Sequence, residues 1–207
     1  TVTFTLSEAS SNFAVGDITV AGGSIGTLTT TSSTVYSVVF TPTANINSGT
    51  GSISVVGATF TDATGNDNTA STTLSINYDT AAPIVTITRA GSGSLRSGQT
   101  ETITFTLSEA SSNFAAGDIT LSGGSIGTLT TTSSTVYSAV FTPTTNTNSG
   151  TGSISVSGAT FTDSIGNDNT ASSTLSISYD TAAPIATITR AGSGSLKSGQ
   201  TETITFT

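Results

Sequence analysis

Apolar and polar residues alternate with a period of two along most of this chain. The run Thr102-Ile103-Thr104-Phe105-Thr106-Leu107 sets Ile103, Phe105 and Leu107 on one face and threonines on the other. That spacing belongs to a half-buried strand, whose successive side chains point to opposite faces. The same reading predicts strands over residues 84–89, 118–121 (ending at Gly123-Gly124), 126–132, 136–142, 153–162 and 174–179, with turn residues in each gap. No segment carries a helical period. Thr, Val, Ile, Phe and Tyr suit a pleated, half-buried surface. The expected core anchors are Phe105, Leu107, Phe114, Ile119, Tyr137, Phe141, Ile154, Phe161, Leu175 and Ile177. Not all of them are expected to point inward: Tyr137 and Phe141 share a face, whereas Phe114 falls in a loop.

The pattern repeats. Thr-Val-Thr-Phe-Thr-Leu-Ser-Glu-Ala-Ser-Ser-Asn-Phe from Thr1 recurs from Thr102 with Ile103 in place of Val2, so that Ser7 and Ser108 are 101 residues apart. Other exchanges are as mild, Val20 for Leu121 and Arg96 for Lys197. A period near one hundred is too long for a solenoid coil and fits one whole sandwich domain. Tyr78-Asp79-Thr80-Ala81-Ala82-Pro83 recurs as Tyr179-Asp180-Thr181-Ala182-Ala183-Pro184 and marks the boundary, since proline suits a strand entrance or a linker. The expectation is an all-β chain of tandem immunoglobulin-like β-sandwich modules, about seven strands each. Residues 80–180 read as one complete module, 1–79 as a module lacking its first strand, and 181–207 as the opening strands of a third.

Composition narrows the function. The chain has 207 residues, a formal charge of -8, and no Cys, His, Trp or Met. Its four basic residues, Arg89, Arg96, Arg190 and Lys197, cannot track a phosphate backbone, which argues against nucleic acid. No apolar run is long enough to span a membrane as a helix. Without Cys there are no disulfides or thiolate metal sites. Without His or Cys the many serines have no activating base, so the chain is read as not an enzyme.

The few acidic residues fall at particular places. In sandwich topology the linker Asp79, the loop from Glu109 to Asp118 and the loop holding Asp163 and Asp168 are expected at one pole. Crowded carboxylates repel, and a hard cation relieves that. Ca²⁺ takes six to eight oxygens from carboxylates, amides, carbonyls and water, whereas Mg²⁺ demands a stricter octahedron. Asp163-Ser164-Ile165-Gly166-Asn167-Asp168-Asn169 offers such oxygens, with a glycine to turn the chain, though not at EF-hand spacing. A solvated turn rich in Asp, Asn and Gly is the competing reading. A bridging Ca²⁺ would stiffen the junction between modules.

The combination of Leu107-Ser108-Glu109-Ala110, Phe114-Ala115-Ala116-Gly117-Asp118-Ile119, Gly123-Gly124, Phe161-Thr162-Asp163 through Asn169-Thr170, and Asp180-Thr181-Ala182-Ala183-Pro184 resembles the bacterial Ig-like repeats of giant surface adhesins and biofilm-associated proteins. The resemblance covers the whole chain. It implies export to the cell surface and Ca²⁺ at module junctions, with Asp79, Glu109, Asp118 and Asp163 as ligands. Asn167 and Asp168 lie in the same loop. The first-copy matches are Glu8, Asp17, Asp62, Asn66 and Asp67. Only one linker aspartate serves each junction, fewer than in calcium-dense relatives.

Two uses compete. The first is a stalk of spacer modules, whose partners are the neighbouring modules of the same long chain. The second is a subunit of an extracellular filament or matrix fibre, associating laterally or end to end by β-strand addition. Ice recognition is disfavoured because a 101-residue period supplies no array of short coils in register. Glycan binding is disfavoured by the absence of Trp.

Overall fold

A computed structural model describes all residues, 1–207. The chain forms two compact units, residues 1–83 with 162–170, and residues 84–161 with 171–207. Every regular element longer than a single turn is a strand. No helix is long and apolar enough to cross a membrane.

The first unit holds eight strands: β1 (Val2–Thr5), β2 (Ile18–Ala21), β3 (Gly23–Ile25), β4 (Thr29–Ser32), β5 (Val35–Val38), β6 (Phe40–Pro42), β7 (Gly49–Val55) and β8 (Leu74–Tyr78). One sheet runs β1-β5-β4, a second β2-β7-β8, and β3 pairs with β6. Alternation explains the core. On β5 Tyr36 and Val38 are buried, and on β7 so are Ile53 and Val55, while the residues between them face outward. Phe13 and Ile18 complete this buried cluster, with Val2, Phe4, Leu6, Phe60 and Ile76 packed against it but only half-buried.

The second unit continues the chain order: β9 (Val85–Arg89), β10 (Leu95–Arg96), β11 (Glu101–Leu107), β12 (Ile119–Ser122), β13 (Gly124–Ile126), β14 (Thr130–Thr131), β15 (Val136–Pro143), β16 (Gly150–Val156) and β17 (Leu175–Asp180). The hairpin β18 (Ile188–Arg190) with β19 (Ile204–Phe206) follows. One sheet runs β13-β15-β11-β9, with β14 also on β15, and the other runs β10-β17-β16-β12. β11 sets Ile103, Phe105 and Leu107 inward, at 0, 0 and 3 % exposure. They meet Ile154 and Val156 of β16 and Ile177 and Tyr179 of β17 in one cluster. Each fully buried side chain of this size contributes about 1.5–3 kcal/mol from area removed from water.

Close approach of the strands demands small residues at defined points. A Cβ on Gly152 would fall 2.4 Å from Phe141 Cζ, and one on Gly51 would fall 2.5 Å from Phe40 Cζ. Each of these two glycines is therefore the seat of an aromatic ring.

Three details depart from the sequence expectation. The second unit's sandwich uses nine strands and not seven, because the segment expected over 126–132 divides into β13 and β14, each pairing separately with β15. β10, only two residues long and parallel to β17, is too short to show alternation. The strand expected over 153–162 begins earlier and ends at Val156, shortly before Ala159 turns left-handed at φ 57°. Phe114, an expected core anchor although it falls in a loop, is 7 % exposed and stands in the core. Its ring meets Phe105, Tyr137 and Phe161 at centroid distances of 5.8, 5.0 and 5.1 Å.

Candidate metal centre

The loop from Thr162 to Thr170 is closed by a bridge between Thr162 and Asp168 and by the Asp163 N–H donating to the Asn167 carbonyl at 3.2 Å. Gly166 sits inside it at φ +102°, a conformation costly for any residue with a Cβ. The closure turns three successive backbone N–H groups toward one carboxylate oxygen. Asp163 Oδ1 accepts from Ile165, Gly166 and Asn167 at 2.8, 2.7 and 2.9 Å. Oδ2 accepts from Asn167 Nδ2 at 2.7 Å. The residue is 5 % exposed. Burial pushes its pKa up, but the Asn167 amide and the three N–H donors together outweigh that and hold the carboxyl below its ordinary value. Asp163 therefore stays charged in a buried place.

The linker residue Asp79 comes to the same loop. Asn167 Nδ2 also donates to the Asp79 backbone carbonyl at 3.3 Å, and Thr170 N–H donates to the Pro83 carbonyl at 2.9 Å. Asp79 is half-buried and its Oδ1 accepts the Ala81 N–H at 3.1 Å. Carboxylate oxygens of Asp79 and Asp163 lie within 4.8 Å of one another. Two unit charges 4 Å apart repel by about 4 kcal/mol at an effective dielectric near 20. The Asn167 side-chain N–H₂ bonds the Asp163 carboxylate and the Asp79 backbone carbonyl, and leaves the Asp79 carboxylate to the Ala81 N–H.

The linker is pinned by a residue the sequence reading passed over. Thr80 Oγ1 donates to the Thr43 carbonyl at 2.7 Å and accepts the Ile46 N–H at 3.1 Å. Thr181 repeats both contacts in the second unit, with Thr144 at 2.6 Å and Thr147 at 3.1 Å. The recurrence of Thr in Asp-Thr-Ala-Ala-Pro was the available signal. Its effect is to fix where the preceding aspartate stands.

The first copy builds the same loop with Asp62. Oδ1 accepts from the N–H groups of Thr64 and Asn66 at 2.8 and 2.9 Å, and Oδ2 from Asn66 Nδ2 at 2.8 Å. Asn66, first by its side chain and then by its backbone, draws this carboxyl's pKa down. Thr61 bridges Asp67 as Thr162 bridges Asp168. No group of three acidic side chains gathers around Asp62.

The remaining residues named from the sequence have other surroundings. Asp118 closes the short 3₁₀ turn Ala116–Asp118, its Oδ2 accepting the Ala115 N–H at 2.8 Å. Asp17 does the same at Ala14, also at 2.8 Å. The three-residue spacing from Ala115 to Asp118 is a helix-entry signal in its own right. Glu8, Asp67, Asp168 and Asn66 are exposed, and Glu109 is half-buried just beyond β11.

A family profile described as Bacterial Ig-like domain matches residues 1–78 and again 79–179. No curated protein matches the chain.

Proposed function

The chain belongs to the bacterial Ig-like domain family, and from that premise we propose that its modules are spacers in the stalk of a large secreted adhesin at a bacterial surface, stiffened where they join by Ca²⁺. A bacterial Ig-like domain family suits a structural repeat module of a surface or extracellular protein. The near-identity of the copies supports length as the property in demand, since a spacer needs reach and not variety.

The observation that carries the calcium reading is the approach of Asp79 to a carboxylate that is buried, charged and preorganised. Asp163 is held in position by four donors before any ligand arrives. Asp79 supplies a second carboxylate and Glu109 is proposed as the third. The Asn167 side-chain oxygen joins them once its amide turns. Oxygen-only ligands of this kind suit Ca²⁺. Because Asp79 lies in the linker, a cation held by all three would tie the angle of one module to the next.

Calorimetric titration tests this. The wild-type chain is expected to bind one Ca²⁺, and Asp79→Asn and Asp163→Asn each to weaken binding at least tenfold. A wild-type chain that takes up no calcium at millimolar concentration, or binding unchanged in both variants, contradicts the reading.

A further inference from the structure

Chain direction fixes how the second unit takes a pull. Val85 of β9 lies opposite Leu107, the last residue of β11, and Arg89 lies opposite Ile103 near its start. The chain therefore enters this sandwich at the Leu107 end. β10 lies at the other end, because the turn in which the Gln99 N–H donates to the Arg96 carbonyl at 3.0 Å leads straight to Glu101. Asp180 pairs with Arg96, so the chain leaves β17 at that end. Entry and exit stand at opposite ends of the unit.

A pull along the chain thus draws β9 along its own axis, past β11. Hydrogen bonds of an antiparallel ladder lie across the strands. A pull along the axis strains all of them together, whereas a pull across it breaks them pair by pair. The five pairs from Val85–Leu107 to Arg89–Ile103 oppose the slide. A slip of one residue also reverses the two faces of a strand. It would turn buried Val85 and half-buried Ile87 outward and bring the exposed Thr86 and Thr88 toward the core. β10 adds two parallel pairs with β17, sheared by the same pull, with Leu95 and Tyr179 buried.

At its far end β9 is latched. Arg89 Nη2 donates to the Gly93 carbonyl at 2.7 Å, and Nη1 lies 4.0 Å from Glu101 Oε2. Glu101 Oε1 accepts the Gly91 N–H at 2.9 Å. The two side chains are 13 and 8 % exposed, so salt screens the pair little. Drawing Arg89 toward the Leu107 end would leave Glu101 buried without its counter-charge, which is costly. We propose that the second unit carries tension along the chain, with β9 held in shear against β11 and its end latched by Arg89 on Glu101. The inference goes beyond the spacer reading and does not rest on the cation.

Single-molecule pulling on the full chain in excess chelator tests this, with handles on introduced cysteines because the chain has no native Cys. Ile84→Cys with Ala183→Cys loads the unit between its own entry and exit. Ile84→Cys with Ala110→Cys draws the paired ends of β9 and β11 apart. All three positions are exposed. The first direction is expected to need at least twice the force of the second at the same pulling speed. Arg89→Gln is expected to lower the first force by at least a fifth and to leave the second unchanged, since peeling starts at Val85 and reaches Arg89 last. A substitution that only weakened the fold would lower both. Equal forces in the two directions, no loss on Arg89→Gln, or a loss of the same size in both directions overturns the proposal. With calcium removed throughout, failure of the calcium reading leaves these outcomes as they are.

Discussion

The hydroxyl of Tyr137 donates to the backbone carbonyl of Ser111 at 3.0 Å, inside the second unit. The bond fastens the loop after β11 to the opposite strand and so holds Phe114 over the core. Tyr36 and Ser10 repeat it at 2.8 Å in the first unit. A buried neutral hydrogen bond of this kind contributes about 1 kcal/mol. Tyr137→Phe is therefore expected to lower the unfolding free energy by that amount, seen as a lower denaturant midpoint with no change in the slope of the transition. An unchanged midpoint would detach the loop from the tyrosine.

Phe114→Ala removes the ring shared by Phe105, Tyr137 and Phe161. Truncation of a buried Phe costs about 3–5 kcal/mol through lost transfer energy and the cavity left behind. The expected result in urea unfolding is a large loss confined to the transition of the second unit. The corresponding Phe13 meets Phe4, Tyr36 and Phe60 at 5.7, 5.0 and 4.9 Å. Phe4 and Phe60 are only half-buried, so Phe13→Ala is expected to cost less.

Gly152→Ala places a methyl group 2.4 Å from Phe141 Cζ, a side chain with no exposure and no room to retreat. Overpacking of this order costs about 1–3 kcal/mol. Gly166→Ala meets no atom within 4 Å, and its cost comes from φ alone. Comparing the two melting temperatures separates crowding from backbone strain.

Much of the sandwich was legible because burial imposes a period of two wherever a strand has one wet face. Ile103, Phe105 and Leu107 announce β11 for that reason. β10 was not legible, since two residues carry no period, and the direction of Phe114 was not, since a loop residue has no alternation to declare it. In the site, Asp79 and Asp163 were legible through the copied linker and loop. The roles of Asp17 and Asp118 were hidden because an aspartate that caps a short turn and one that waits for a cation favour the same neighbours.

Acid should reveal Asp163 before any metal is added. Its carboxyl titrates below the ordinary value in the folded protein, so it stabilises the fold at pH above roughly 4, the unfolded carboxylate range. That contribution is lost as the pH falls through the lowered folded value. Asp62, also lowered, acts in the same direction. Asp163→Asn is expected to cost about 2 kcal/mol at pH 7, because the Asn167 side-chain N–H₂ then faces another N–H₂ in place of Oδ2, and a neutral amide oxygen accepts the three backbone N–H groups less strongly. It is also expected to flatten the acid limb below pH 4. An acid limb identical to wild type would remove Asp163 from the account.

Thermal unfolding of the wild-type chain in 10 mM Ca²⁺ against excess chelator bears most directly on the stiffened spacer. A ligand bound only by the folded state at a hundred times its dissociation constant adds about 2.7 kcal/mol, which for a module of this size means a rise of roughly 10 °C or more. We expect that rise in the wild type and its absence in Asp163→Asn. Superimposable wild-type curves with and without calcium would contradict a cation at the junction.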